Sequence, residues 1–109
     1  MHEMSLTESV VSAVSERLPG AKVVRVRLEI GRLAGVVSDS VRFCFEIVAA
    51  GTGLEGAALE IFEPPGVAHC RECDAMLELA DNVLLCTCGS ANLEVLSGTE
   101  MLIKEVEVA

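Results

Sequence analysis

Val24-Arg25-Val26-Arg27-Leu28-Glu29-Ile30 alternates aliphatic and charged side chains with a period of two. That is the pattern of a strand with one buried face and one wet face, and it makes a half-covered sheet the frame of the fold. Upstream, Ser5-Leu6-Thr7-Glu8 reads as a capping box. Leu6, Val10, Val11, Val14 and Leu18 then recur at helical spacing until Pro19-Gly20 stops them, so a helix is expected over residues 5–18. Downstream, Ser38 or Asp39 is placed to cap a second helix, with Val41, Cys44, Phe45 and Val48 on one stripe and Gly51-Thr52-Gly53 as its stop. Residues 58–63 read as a short strand closed by Pro64-Pro65, and residues 101–108 as a third strand.

Between those last two strands lie Cys70-Arg71-Glu72-Cys73 and Cys86-Thr87-Cys88. Two close pairs of thiolates can close a tetrahedron around one soft divalent ion, the geometry of a structural zinc site. An iron site of rubredoxin type uses the same donors and would show itself by its colour. The second pair is one residue shorter than the usual C-x-x-C, which leaves open an exchange of Cys86 for His69. Asp81-Asn82, flanked by Met76–Leu79 and Val83–Leu85, predicts a hairpin between the two pairs. The expected fold is therefore α+β: two helices packed on a three-stranded sheet, with an inserted zinc-ribbon-like subdomain held by two cysteine pairs. Its expected division is 1–65 with 98–109 as one domain and 66–97 as the other. The insert has too few apolar residues to fold unaided, so metal binding must supply its stability.

Composition restricts the function. The 109 residues suffice for one main core. Hydrophobic residues make up 51% but aromatics only 3%, so that core is packed by branched aliphatics. Seventeen acidic against eight basic side chains give a formal net charge of −9, which repels nucleic acid, and there are no stacking aromatics to offset it. No apolar run is long enough to cross a membrane and no secretory leader is evident, so a cytoplasmic protein is expected. In a reducing compartment five clustered and unclustered cysteines favour metal over disulfides, and Cys44, on the stripe of the second helix, reads as a core residue. No Cys-His-Asp or Ser-His-Asp set can be assembled, and the chain is not read as an enzyme.

The start Met1-His2-Glu3 offers an α-amine, the His2 amide nitrogen and imidazole, and a Glu3 amide or carboxylate. A nitrogen-rich, near-planar donor set of this kind prefers Ni(II) or Cu(II). Taken alone it competes with an ordinary frayed terminus.

The Met-His-Glu start, the helix that follows it, the valine-rich strand, the Pro64-Pro65 turn into C-x-x-C, the second pair ending Cys88-Gly89-Ser90, and the closing Gly98-Thr99-Glu100-Met101-Leu102-Ile103-Lys104-Glu105-Val106-Glu107 occur in one order. Together they resemble the HypA/HybF family of nickel-incorporation metallochaperones along essentially the whole chain. The resemblance implies a carrier that takes Ni(II) at His2, with Met1 and Glu3, and a structural Zn(II) held by Cys70, Cys73, Cys86 and Cys88. It implies delivery to the large subunit of nickel-iron hydrogenase with a nickel-loading GTPase, urease accessory proteins being further candidate partners. A zinc-ribbon interaction module without a nickel role is the alternative.

Overall fold

The computed structural model describes residues 3–109. Its elements are α1 (Glu3–Arg17), β1 (Val23–Ile30), α2 (Ser38–Ala49), β2 (Ala58–Phe62), β3 (Gly66–Cys70), β4 (Met76–Leu79), β5 (Leu93–Ser97) and β6 (Met101–Val108). The expected α+β core is present. β1 is the central strand of a sheet ordered β2-β1-β6, parallel to β2 across the α2 crossover and antiparallel to β6. Both helices contribute to one aliphatic cluster with β1: Leu6, Val10, Val11 and Val14 from α1, Val41, Phe45 and Ala49 from α2, and Val23, Val26, Leu28 and Ile30 from the strand.

Three local expectations are corrected. The alternation of β1 holds at Val26, Leu28 and Ile30, but Val23 is buried and Val24 is 36% exposed. The cause is a register irregularity between Val23 and Arg25 opposite β6, because an extra residue in a strand reverses the faces beyond it. Ser5-Leu6-Thr7-Glu8 is not the start of the first helix, which begins at Glu3; Ser9 and Thr7 donate their hydroxyls back to the carbonyls of Ser5 and Glu3, four residues earlier. The second helix is entered through Val37, whose carbonyl accepts the first helical bond from Val41. Ser38 instead turns its hydroxyl to the Glu63 carboxylate, tying α2 to the segment after β2.

The outer face of the sheet carries the charges. Arg27 bridges Glu60 on β2 and Glu105 on β6 at 2.8 Å each, and Arg25 reaches Glu60 and Glu107. The two carboxylates hold the Arg27 guanidinium above its usual pKa, the hydrogen bond to Glu60 being the largest cause.

A second three-stranded sheet, ordered β4-β3-β5, extends the molecule to a length of 53 Å. Three backbone segments pass between the sheets and cross at glycines. A Cβ on Gly31 would stand 2.1 Å from the Gly98 carbonyl oxygen, and one on Gly98 would stand 2.4 Å from the Gly66 Cα, so only hydrogen side chains let the three segments touch. Gly31 and Leu33 donate to the carbonyls of Glu100 and Gly98, and Arg32 donates to that of Pro64. The neck is thus a hydrogen-bonded joint.

Candidate metal centre

β3 delivers Cys70 to the end of the second sheet, and the first cysteine pair is itself the turn into β4. The Cys70 amide donates to the Ala75 carbonyl and the Asp74 amide to the Cys70 carbonyl, both at 2.9 Å. Asp74 adopts φ 63°, the left-handed conformation that aspartate tolerates better than most residues. This turn sets His69 opposite Met76 and makes β3, rather than residues 83–85, the partner of β4. The expected hairpin around Asp81-Asn82 is therefore corrected. Asp81 does form a turn, accepting the Val83 amide at 2.9 Å, but residues 83–86 then run on without strand pairing to the second cysteine pair.

The short C-x-C spacing is accommodated by a tight closure. Gly89 donates to the Cys86 carbonyl at 2.9 Å, Cys86 donates to the Ser90 carbonyl at 2.8 Å, and Gly89 takes φ 95°. The Cys88 amide points at the Cys86 sulfur, 3.5 Å away. Arg71 donates from its backbone to the Asn92 carbonyl and from its guanidinium to the Asn92 side chain, which donates on to Glu72. These contacts lock the first turn onto the segment leaving the second.

The result is a four-sulfur cluster. The Sγ atoms of Cys70, Cys73, Cys86 and Cys88 all lie within 4.8 Å of one another, with Cys70 to Cys88 at 3.8 Å and Cys73 to Cys86 at 3.6 Å. Four sulfurs at about 2.3 Å from a central zinc stand about 3.8 Å apart at the corners of a tetrahedron, so the donor set fits that ion. Cys70 and Cys86 are buried, while Cys73 and Cys88 are exposed.

Backbone amides and the sulfurs themselves split the thiol acidities. The Cys88 amide lowers Cys86 to about 7, and the Cys73 amide lowers Cys70. At Cys73 the Ala75 amide also acts to lower the pKa, but the Cys86 and Cys70 sulfurs and burial outweigh it and push the thiol up to about 12. Cys88 is raised in the same way, the Ser90 amide being outweighed chiefly by the Cys86 sulfur. The cluster without metal therefore keeps protons that a cation must displace.

His69 stands outside the cluster. It alternates with buried Ala68 and Cys70 along β3, and on the opposite face its Nε2 lies 3.0 Å from an Asp74 carboxylate oxygen, its Nδ1 4.0 Å from Glu94. Cys86, not His69, is the fourth donor brought together.

The second sheet has a small core of its own, three buried residues, Ala68, Leu79 and Leu33, with Leu77 and Leu93 packed against it. Leu33 comes from the neck. No periodicity marks it in the sequence, since it sits in a short irregular segment.

Of the N-terminal candidates, Met1 and His2 lie outside the described residues. Glu3 opens α1, its carboxylate accepts the Val37 amide at 3.2 Å, and its carbonyl accepts the Thr7 hydroxyl at 2.6 Å. Beside it is an open hollow of about 470 Å³ lined by Glu3, Met4, Asp39, Ser40, Phe43 and Cys44. Asp39, read from the sequence only as a helix cap, lines the same hollow as Glu3 where α1 packs on α2. Cys44 is buried in α2 and takes no part in the sulfur cluster.

Comparison with known proteins decides the family. The model described as hydrogenase/urease nickel incorporation, metallochaperone, hypA matches residues 1–108. The chain belongs to the HypA family. Relatives include the hydrogenase maturation factor HypA of Nostoc sp., 50% identical over 108 residues, covering 99% of this chain and 96% of that one. The HypA of Rhodobacter capsulatus is 46% identical over 112 residues, with 99% of each chain covered. The solution structure of the Ni metallochaperone HypA from Helicobacter pylori superposes with a TM-score of 0.65 at 22% identity, covering 99% of this chain and 97% of that one. A further HypA solution structure gives 0.67 at 23% identity, covering 100% and 97%. These two show that the HypA fold is shared. As a HypA, this chain is a metallochaperone and maturation factor, not an enzyme. Among the described residues no helix is long and apolar enough to cross a membrane.

Proposed function

We propose that this HypA carries Ni(II) at its N-terminus and hands it to the large subunit of nickel-iron hydrogenase during maturation, in the cytoplasm, with a nickel-loading GTPase as partner. Urease accessory proteins are a second client system, in keeping with the family's description. The nickel ligands are the Met1 amine, the His2 amide and imidazole, and Glu3. The match to a nickel-incorporation family over residues 1–108, which includes the Met1-His2-Glu3 start, carries this reading.

Residues 1–65 with 98–109 form the nickel-binding unit, and residues 66–97 the zinc-binding one. In the second, Cys70, Cys73, Cys86 and Cys88 would hold Zn(II) in a closed shell whose role is structural. The spacing of the four sulfurs supports that assignment. A carrier must release its cargo, and a site of few donors at a chain terminus suits ligand exchange with a partner. The hollow beside Glu3 leaves room for that approach.

Elemental analysis of the untagged protein after nickel addition and desalting tests both sites when run beside a form with a short N-terminal extension. One zinc in both and one nickel with the native terminus alone is expected. Zinc alone in both would replace the carrier by an interaction module. His2→Ala should lose nickel and keep zinc and fold. Nickel affinity should fall as pH drops through the imidazole pKa, about 6.5 when unperturbed, because protons compete for the same nitrogen.

A further inference from the structure

The outer face of the second sheet carries a row of donors. β3 pairs with β4 and β5 so that His69 stands opposite Met76 on one side and Glu94 on the other. Residues paired across neighbouring strands point to the same face, here the one turned away from buried Ala68 and Cys70. Glu94 and Met76 are exposed and His69 is half-buried, so an ion from solvent can reach all three.

The two nitrogens of the His69 ring have different neighbours. Nε2 lies 3.0 Å from an Asp74 carboxylate oxygen, and an ionised carboxylate only accepts, so in the neutral ring Nε2 carries the proton. Nδ1 then keeps its lone pair and faces a Glu94 carboxylate oxygen 4.0 Å away, too far for a hydrogen bond. An ion held at about 2.1 Å by each of two donors spans up to about 4.2 Å between them. The gap between Nδ1 and Glu94 is therefore the size of a bound cation. Asp74, on the far nitrogen, stands where a carboxylate orients the ring of a metal-binding histidine. The first cysteine turn fixes Asp74 in turn, at φ 63° with its amide on the Cys70 carbonyl. Residues 66–97 also hold five acidic side chains against one arginine, an excess that concentrates cations.

We propose that the His69 Nδ1 and the Glu94 carboxylate, with the Met76 thioether beside them, form a second metal site, separate from the four sulfurs, that takes Ni(II). Imidazole and thioether donors disfavour hard ions such as Mg(II), and among first-row divalent ions Ni(II) binds such a set more tightly than Mn(II), Fe(II) or Co(II). With two or three protein donors the ion keeps water ligands, exchanges readily and is lost on desalting. The site follows from the second sheet alone, whereas its use as a staging point for cargo rests on the carrier function.

Nickel titration of the zinc-loaded chain carrying the short N-terminal extension, followed by NMR, tests this. Six-coordinate Ni(II) with water ligands is paramagnetic and broadens signals near it, whereas a near-planar, nitrogen-rich complex at a free terminus is diamagnetic. Saturable broadening centred on the Met76 methyl and the His69 and Glu94 amides is expected, with one zinc retained per chain. His69→Asn should abolish it. Glu94→Gln, which removes a charged ligand, and Asp74→Asn, which leaves the ring unoriented, should each weaken nickel binding at least about tenfold. Asparagine tolerates the left-handed conformation as aspartate does, so the turn is kept. Absence of broadening at these residues, an affinity unchanged in His69→Asn or Glu94→Gln, or zinc appearing in solution as nickel is added would each overturn the proposal. The last would put nickel among the sulfurs. Broadening without nickel retained at the native terminus would keep this site and remove the carrier function, and the reverse would keep the carrier and remove this site.

Discussion

Leu33→Ala should separate the stability of the cysteine module from that of the core. Leu33 is 9% exposed and is one of three buried residues, with Ala68 and Leu79, in the core of the second sheet, on its neck side. Truncating a buried leucine costs about 2.7–5 kcal/mol, and a site at the rim of a small cluster belongs near the lower end, about 3 kcal/mol. A module this small folds with its metal, so the loss should be read as metal affinity. At 1.4 kcal/mol per decade, about 3 kcal/mol is a weakening of roughly a hundredfold. The main aliphatic cluster does not include Leu33, so the thermal transition of the α1, α2 and β1 core should move little. Competition for zinc against a chromophoric chelator, beside a thermal melt followed by circular dichroism, measures the two separately. Zinc affinity within about threefold of wild type, or a core transition that falls as far as the module, would refute the role assigned to Leu33.

Gly98→Ala should cost more than about 3 kcal/mol in chemical denaturation, because it combines a left-handed φ of 102° with a Cβ 2.4 Å from the Gly66 Cα. Gly35→Ala, at φ 72° with nothing within 4 Å, should cost about 1 kcal/mol, and equal losses would contradict the close-packed neck. Zinc binding at neutral pH should release the protons held by Cys73, pushed up to about 12, and by Cys88, so affinity should fall by at least about two decades per pH unit of acidification. Below pH 7 Cys86, at about 7, adds a third proton. Calorimetry in buffers of different ionisation enthalpy reads that release directly, and a buffer-independent enthalpy would contradict it. Cys44→Ala should leave the metal content unchanged and cost about 1 kcal/mol of stability, the value of a small buried apolar group.

The division between sequence and tertiary structure follows the range of the interactions. Alternation in residues 24–30, the helical stripes on either side and the two cysteine pairs were legible because each reports a local period or a ligand's chemistry. They determined the aliphatic core, its half-wet sheet and the candidate four-thiolate site, and with the Met1-His2-Glu3 start they pointed to the family. Only the folded chain decided which strands pair. β4 joins β3 because the first cysteine pair is itself the turn between them, an arrangement that the Asp81-Asn82 signal concealed. Folding also chose Cys86 over His69, since β3 places Cys70 and His69 on opposite faces. The reversal at Val24, the insertion of Leu33 into the core of the second sheet and the crossing of Gly31, Gly66 and Gly98 depend on residues distant in sequence meeting in space. Periodicity records which face a residue prefers, whereas register and contact are set by the partner, and the partner exists only once the chain has folded.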